Sequence, residues 1–107
     1  MDSRPDVLFK TLSDPTRRAI FERLTRDGEL TVHAITKHSG VSQPAVSKHL
    51  GALKFAGLVR DRRVGRENHY SADPQGLAPL IDWMKLYGTF WLDRFYRLES
   101  LLSRMDQ

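Results

Sequence analysis

The chain contains no cysteine. That absence excludes disulfides, thiolate nucleophiles and any cysteine-ligated metal. It fits a reducing compartment, and a cytoplasmic location is expected. Long apolar runs are missing as well: no stretch reaches the roughly 20 residues a membrane helix needs. The opening Met1-Asp2-Ser3-Arg4 lacks the character of a signal peptide, so no membrane role is expected. Histidine is scarce. His33, His38, His49 and His69 lie on separate segments, with no Ser–His–Asp arrangement or carboxylate pair beside them. An enzyme, a cofactor site and a catalytic residue are therefore not expected.

What remains is ordinary for a globular protein: 107 residues, 40% hydrophobic and 28% charged. This is enough for one domain with a modest core. The net charge of +4 is unevenly spread. Residues 1–30 carry six basic and six acidic side chains and cancel. Residues 31–70 carry seven basic side chains against two acidic, while residues 71–107 have four against five. The positive surplus is thus confined to the middle of the chain, as a polyanion-binding surface requires. A merely solvated basic face would give the same count, so the pattern beneath it has to decide.

That pattern is sharpest at 42–53, SQPAVSKHLGAL. Val46, Leu50 and Leu53 recur at i, i+4 and i+7, one buried stripe of a helix. Gln43, Ser47, Lys48 and Lys54 fall on or near the other side, as compact polar and basic groups suited to base edges and phosphates. Ser42 is a natural N-cap. A shorter helical pattern, capped by Thr31 and reaching about His38, precedes it across Ser39-Gly40-Val41. The pair reads as a helix-turn-helix over 31–56, with 42–56 as the recognition helix. His49 lies between the two faces and suits packing or a phosphate-side place better than base reading.

The surrounding segments complete the outline. Asp6–Leu12 is a short helix. A second begins after Ser13 or Asp14 with Pro15 in its first turn, buries Ile20, Phe21 and Leu24, leaves Arg17, Arg18 and Arg23 solvated, and stops at Asp27-Gly28. Leu58–Val64 and Glu67–Ala72 alternate like strands about a Gly65-Arg66 turn, predicting a β-hairpin with Arg60, Arg62, Arg63 and Arg66 around its tip. Beside a recognition helix such a hairpin is a wing.

From Asp73-Pro74 a final helix is predicted to about Met105, roughly 45 Å long. Leu77, Met84, Trp91, Leu98 and Met105 share one heptad position; Ile81, Gly88, Phe95 and Leu102 share the other. Leu80, Trp83, Tyr87 and Phe90 add a second apolar stripe. So much apolar surface on so small a domain points to a dimer joined through Leu77, Ile81, Met84, Gly88, Trp91, Phe95 and Leu98. Trp83, Tyr87, Phe90 and Trp91 could instead line a ligand pocket, a use that packing outweighs.

The stretches LSDPTRRAIFERL (12–24), ELTVHAI (29–35), VSQPAVSKHLGALKFAGLV (41–59) and VGRENHYS (64–71) resemble the ArsR/SmtB family of winged-helix repressors. The likeness covers essentially residues 5–75. It implies a mainly α fold with a small β-hairpin: a winged helix-turn-helix of five helices with a long C-terminal dimerisation helix. Residues 1–107 would form one domain, with 1–12 and 73–107 dimerising, 31–56 the helix-turn-helix and 58–72 the wing. It implies a homodimer on double-stranded DNA, at an imperfect palindrome in a promoter. Repression would be relieved by a signal such as a small molecule or partner protein. Carried over by position, the DNA-binding residues would be Ser42, Gln43, Pro44, Ser47 and Lys48, with Thr31 on a phosphate and Arg63 and Arg66 from the wing. Many family members sense metals through a Cys-x-Cys pair. Thr31 and His33 stand there in this chain, and residues 73–107 hold no histidine, so no metal site is expected. The alternative is a protein-interaction module that keeps the scaffold and docks a partner on the apolar helix.

Overall fold

The computed structural model describes residues 3–106. Helix α1 (Arg4–Leu12) starts two residues before its expected place. Ser3 and Asp6 form a reciprocal capping box there, with Ser3 Oγ accepting from the Asp6 N–H at 3.4 Å and the Ser3 N–H donating to Asp6 Oδ2 at 3.3 Å. Helix α2 (Pro15–Asp27) is capped by Asp14, whose Oδ1 accepts from the Arg17 N–H at 2.9 Å. That bond is the main reason the Asp14 carboxyl is held below its ordinary pKa. Gly28 ends α2 at φ 80°, a region side chains avoid.

The hairpin gains a third strand that no sequence periodicity announced. The two residues of β1 (Leu30–Thr31) pair antiparallel with β3 (Glu67–Ala72), Leu30 opposite Tyr70 and Thr31 opposite His69. On its other edge β3 pairs with β2 (Val59–Val64), placing Arg62 opposite His69 and Arg63 opposite Asn68. The sheet order is β1-β3-β2. The expected first strand residue, Leu58, is instead fully buried ahead of β2.

Helix α3 (Val32–Lys37) follows β1 directly, and α4 (Gln43–Phe55) follows a turn at Gly40, φ 76°. Val46, Leu50 and Leu53 of α4 are all at 0% exposure and meet Leu8, Ile20, Leu24 and Ile35 in the core. Truncating any of the large ones to alanine costs about 2–5 kcal/mol. The core thus clamps α4 by one stripe and leaves its other face outward.

Helix α5 (Ala78–Met105) begins five residues after the expected Asp73. Residues 73–77 turn instead, the Gly76 N–H donating to Asp73 O at 2.9 Å. A Cβ on Gly76 would lie 2.7 Å from Gly57 O and 2.9 Å from Leu58 Cα, so only glycine lets this turn close against the end of α4. The proline in the first helical turn is Pro79 rather than Pro74. None of the 28 residues of α5 is buried. Its first turn packs Leu80 against the core, and beyond that it meets α1, where Phe9 and Trp83 lie edge to face at 5.1 Å between centroids.

Candidate nucleic-acid interface

The N-terminus of α4 is shaped by two local devices. Ser42 Oγ accepts from the Ala45 N–H at 3.3 Å, and Pro44 occupies the first turn, where it needs no donor. Ser42, Gln43, Pro44, Ser47 and Lys48 are all exposed, while Val46 and Leu50 are buried. Thr31 caps α3 in the same manner, its Oγ1 accepting from the Ala34 N–H at 3.1 Å. In both caps the hydroxyl hydrogen stays free to donate outward, for instance to a phosphate.

Thr31, Gln43, Ser47 and Arg66 come together in one groove of about 280 Å³ between the start of α3, the outer face of α4 and the wing tip. Val32, His33, Glu67 and Asn68 complete its walls. Asn68 and His33 are not among the DNA contacts that the sequence predicts. The sole available signal was position, since both belong to elements that flank the recognition helix. Ser42, Pro44 and Lys48 lie outside this groove on α4. Arg63 is exposed beside the wing turn, its Nε donating to Gly65 O at 3.2 Å.

Two cations of the basic middle segment and two of α2 are engaged within the fold. Lys54 Nζ sits 2.9 Å from Asp61 Oδ1, tying α4 to the base of the wing, and that bond raises the lysine pKa. Arg62 Nε donates to both oxygens of Glu29, at 2.9 and 3.1 Å. The pair raises the Arg62 pKa and lowers that of Glu29. Arg17 and Arg23, expected to be solvated, are half-buried: Arg17 Nε donates to His49 Nδ1 at 3.3 Å and Arg23 to Ile35 O at 3.1 Å. His49 is therefore a packing residue between α2 and α4. Tyr70, on the core side of the sheet, has its phenol pushed up by burial.

On the proposed dimer side, Ile81, Met84, Trp91, Phe95 and Leu98 are each about half exposed or more. Met84, Gly88, Trp91 and Phe95, with Trp83, Tyr87 and Leu92, line an apolar groove of about 470 Å³ on α5. Leu77 is the exception. It lies before the helix proper and packs with Leu80 against this chain's own core. It is only half-buried there, so part of its surface stays open to a second copy.

Two short helices joined at a glycine, the second exposed on one face and flanked by a basic hairpin, define a winged helix-turn-helix domain. Residues 12–62 match a family model described as a helix-turn-helix domain. The HTH-type transcriptional regulator Rv2034 of Mycobacterium tuberculosis is 50% identical over 76 residues, 71% of this chain and 70% of that protein. The transcriptional repressor SdpR of Bacillus subtilis is 40% identical over 77 residues, 72% of this chain and 84% of that protein. A solution structure from Mycobacterium bovis, described as a homodimeric winged helix-turn-helix DNA-binding domain and possible ArsR-family regulator, superposes with a TM-score of 0.65. It is 28% identical, covering 85% of this chain and 83% of its own. The chain belongs to the ArsR family of helix-turn-helix transcriptional regulators.

Proposed function

We propose that this chain is a sequence-specific DNA-binding repressor of transcription that acts as a homodimer on an imperfect palindrome. The observation that carries this reading is the groove joining Thr31, Gln43, Ser47 and Arg66 across three elements, with Ser42, Pro44 and Lys48 on the same exposed face of α4. Helix α4 enters the major groove. There Gln43 has the amide geometry to pair with adenine N6 and N7, and Lys48 reaches guanine or a phosphate. Thr31, Arg63 and Arg66 hold the sugar–phosphate backbone and set the register.

The apolar face of α5, through Ile81, Met84, Gly88, Trp91, Phe95 and Leu98, joins two copies, so that two α4 helices address successive major grooves about 34 Å apart. Release from DNA would come from a small molecule or a partner protein. Selection of bound duplexes from a random pool tests the reading. A two-fold symmetric consensus with half-sites one helical turn apart is expected. Failure to enrich any sequence, from a protein that is dimeric in solution, would point to the protein-interaction module instead.

A further inference from the structure

One acid stands in the groove proposed for DNA. Glu67 lines it beside Gln43, Ser47 and Arg66, with its side chain 64% exposed. A free carboxylate there opposes an incoming phosphate. Its neighbour on the same strand is His69, whose Nε2 lies 3.8 Å from Glu67 Oε2. That nitrogen is shielded from solvent and is the one buried side-chain nitrogen or oxygen among the described residues that lacks a hydrogen-bond partner. The other ring nitrogen, Nδ1, lies 3.2 Å from Glu29 Oε1, and Arg62 holds Glu29 in place from β2.

We infer that His69, when protonated, takes hold of the Glu67 carboxylate and so raises the affinity of this groove for DNA. The inference rests on the DNA-binding reading above. A carboxylate only accepts, so the Nδ1 facing Glu29 carries the hydrogen of the neutral ring. Nε2 is then a bare lone pair facing a second carboxylate, two acceptors that cannot bond. A proton on Nε2 makes it a donor. The exposed Glu67 side chain then needs only a small rotation to close a charge-assisted hydrogen bond. The acid is neutralised and its oxygen drawn toward the sheet. The charged groups about this ring are Glu29 ahead of β1, Arg62 on β2 and Glu67 on β3, with His33 and Arg66 at the groove. Phosphates bound beside it favour the protonated pair, so by reciprocity DNA binding takes up a proton.

The test is the affinity for a duplex recovered by random-pool selection, measured by fluorescence anisotropy at constant ionic strength between about pH 5.5 and 8. The wild-type protein should bind roughly threefold to tenfold more tightly at the acid end, the scale of one charge pair at a solvated surface. Glu67→Gln should bind more tightly than wild type at the alkaline end and show a flattened profile. His69→Gln should be flat at the weak alkaline level. His33→Gln tests the other groove histidine: a slope lost in that variant and retained in Glu67→Gln would assign the pH dependence to His33 and overturn this inference. Glu67→Gln alters an exposed side chain, so it decides the matter even if His69→Gln folds poorly. A wild-type slope retained in Glu67→Gln, or a flat profile in a wild-type protein that binds DNA, overturns this inference alone. A wild-type protein that binds no duplex at any pH overturns the DNA-binding reading and this inference with it.

Discussion

Among single residues, Gln43 and Arg66 share one groove but do different work there. An amide that reads a base edge discriminates, whereas a guanidinium on the backbone only adds affinity. Gln43→Ala should therefore cost about 1–3 kcal/mol on the preferred sequence and leave non-specific binding nearly unchanged. Arg66→Ala should weaken every sequence alike and lower the salt slope by about one per protomer, about two for the dimer. Competition binding with matched and scrambled duplexes separates the two. Unaltered preference in Gln43→Ala would remove this residue from base reading.

Glu29 offers a second check at this scale. Its bond to Arg62, reinforced by His69, holds its pKa below the ordinary value of 4.5. A depressed carboxylate contributes stability in full above the unfolded pKa, and loses it as pH falls through the lower folded value. Glu29→Gln should therefore be less stable than wild type near neutrality, with the gap closing only in acid, below about pH 4. Thermal melts across that range read it directly, and a gap that persists in strong acid would mean the pair is not its source.

At the scale of elements, α4 and α5 are both amphipathic but meet opposite fates. The apolar stripe of α4 is spent inside the domain, while α5 spans about 42 Å with no buried residue. Gly88 weakens a helix interior by about 1 kcal/mol against alanine. Nothing lies within 4 Å of a Cβ built on it, so nothing in its own chain explains the glycine. A second helix approaching closely at that point would. Trp91 is 59% exposed in the single chain, so Trp91→Glu should leave the fold of the protomer intact, as far-UV circular dichroism would read it. The same change should weaken dimerisation by at least about 2 kcal/mol, as loss of a central aromatic anchor does. Sedimentation equilibrium should show a shift to monomer mass. A variant that stays dimeric at low concentration would place the interface elsewhere.

For the whole molecule, the electrostatics depend on which cations are already paired within the chain. With Lys54 on Asp61 and Arg62 on Glu29, the phosphate-binding charge falls to the wing tip and the exposed face of α4. Two copies double that number. Six or more phosphate contacts per dimer predict an affinity loss of about 10³-fold or more between ~50 and ~200 mM salt. Titration of the dimer on a fixed duplex measures the slope, and a shallow one would mean that the charge surplus serves another purpose.

The local chemistry of the chain was enough to determine α2, α4, both hairpin strands and the caps Thr31 and Ser42, while it left the cap of α2 between Ser13 and Asp14, which the Arg17 N–H bond to Asp14 Oδ1 decides. Helical stripes and caps act over three or four residues and strand alternation over two, so each is written in adjacent sequence. It was also enough to single out Gln43, Ser47 and Arg66, with Thr31 added by the family resemblance, though not to bring them to one groove. Tertiary structure alone decided which cations are spoken for, because Arg17 meets His49 across 32 positions and Arg62 meets Glu29 across 33. It alone supplied β1, which exists only as a partner of β3, and turned Leu77 into its own core through a glycine that must pass close to Gly57. Pairings between distant residues carry no period along the chain; they follow from where the packed core leaves each backbone.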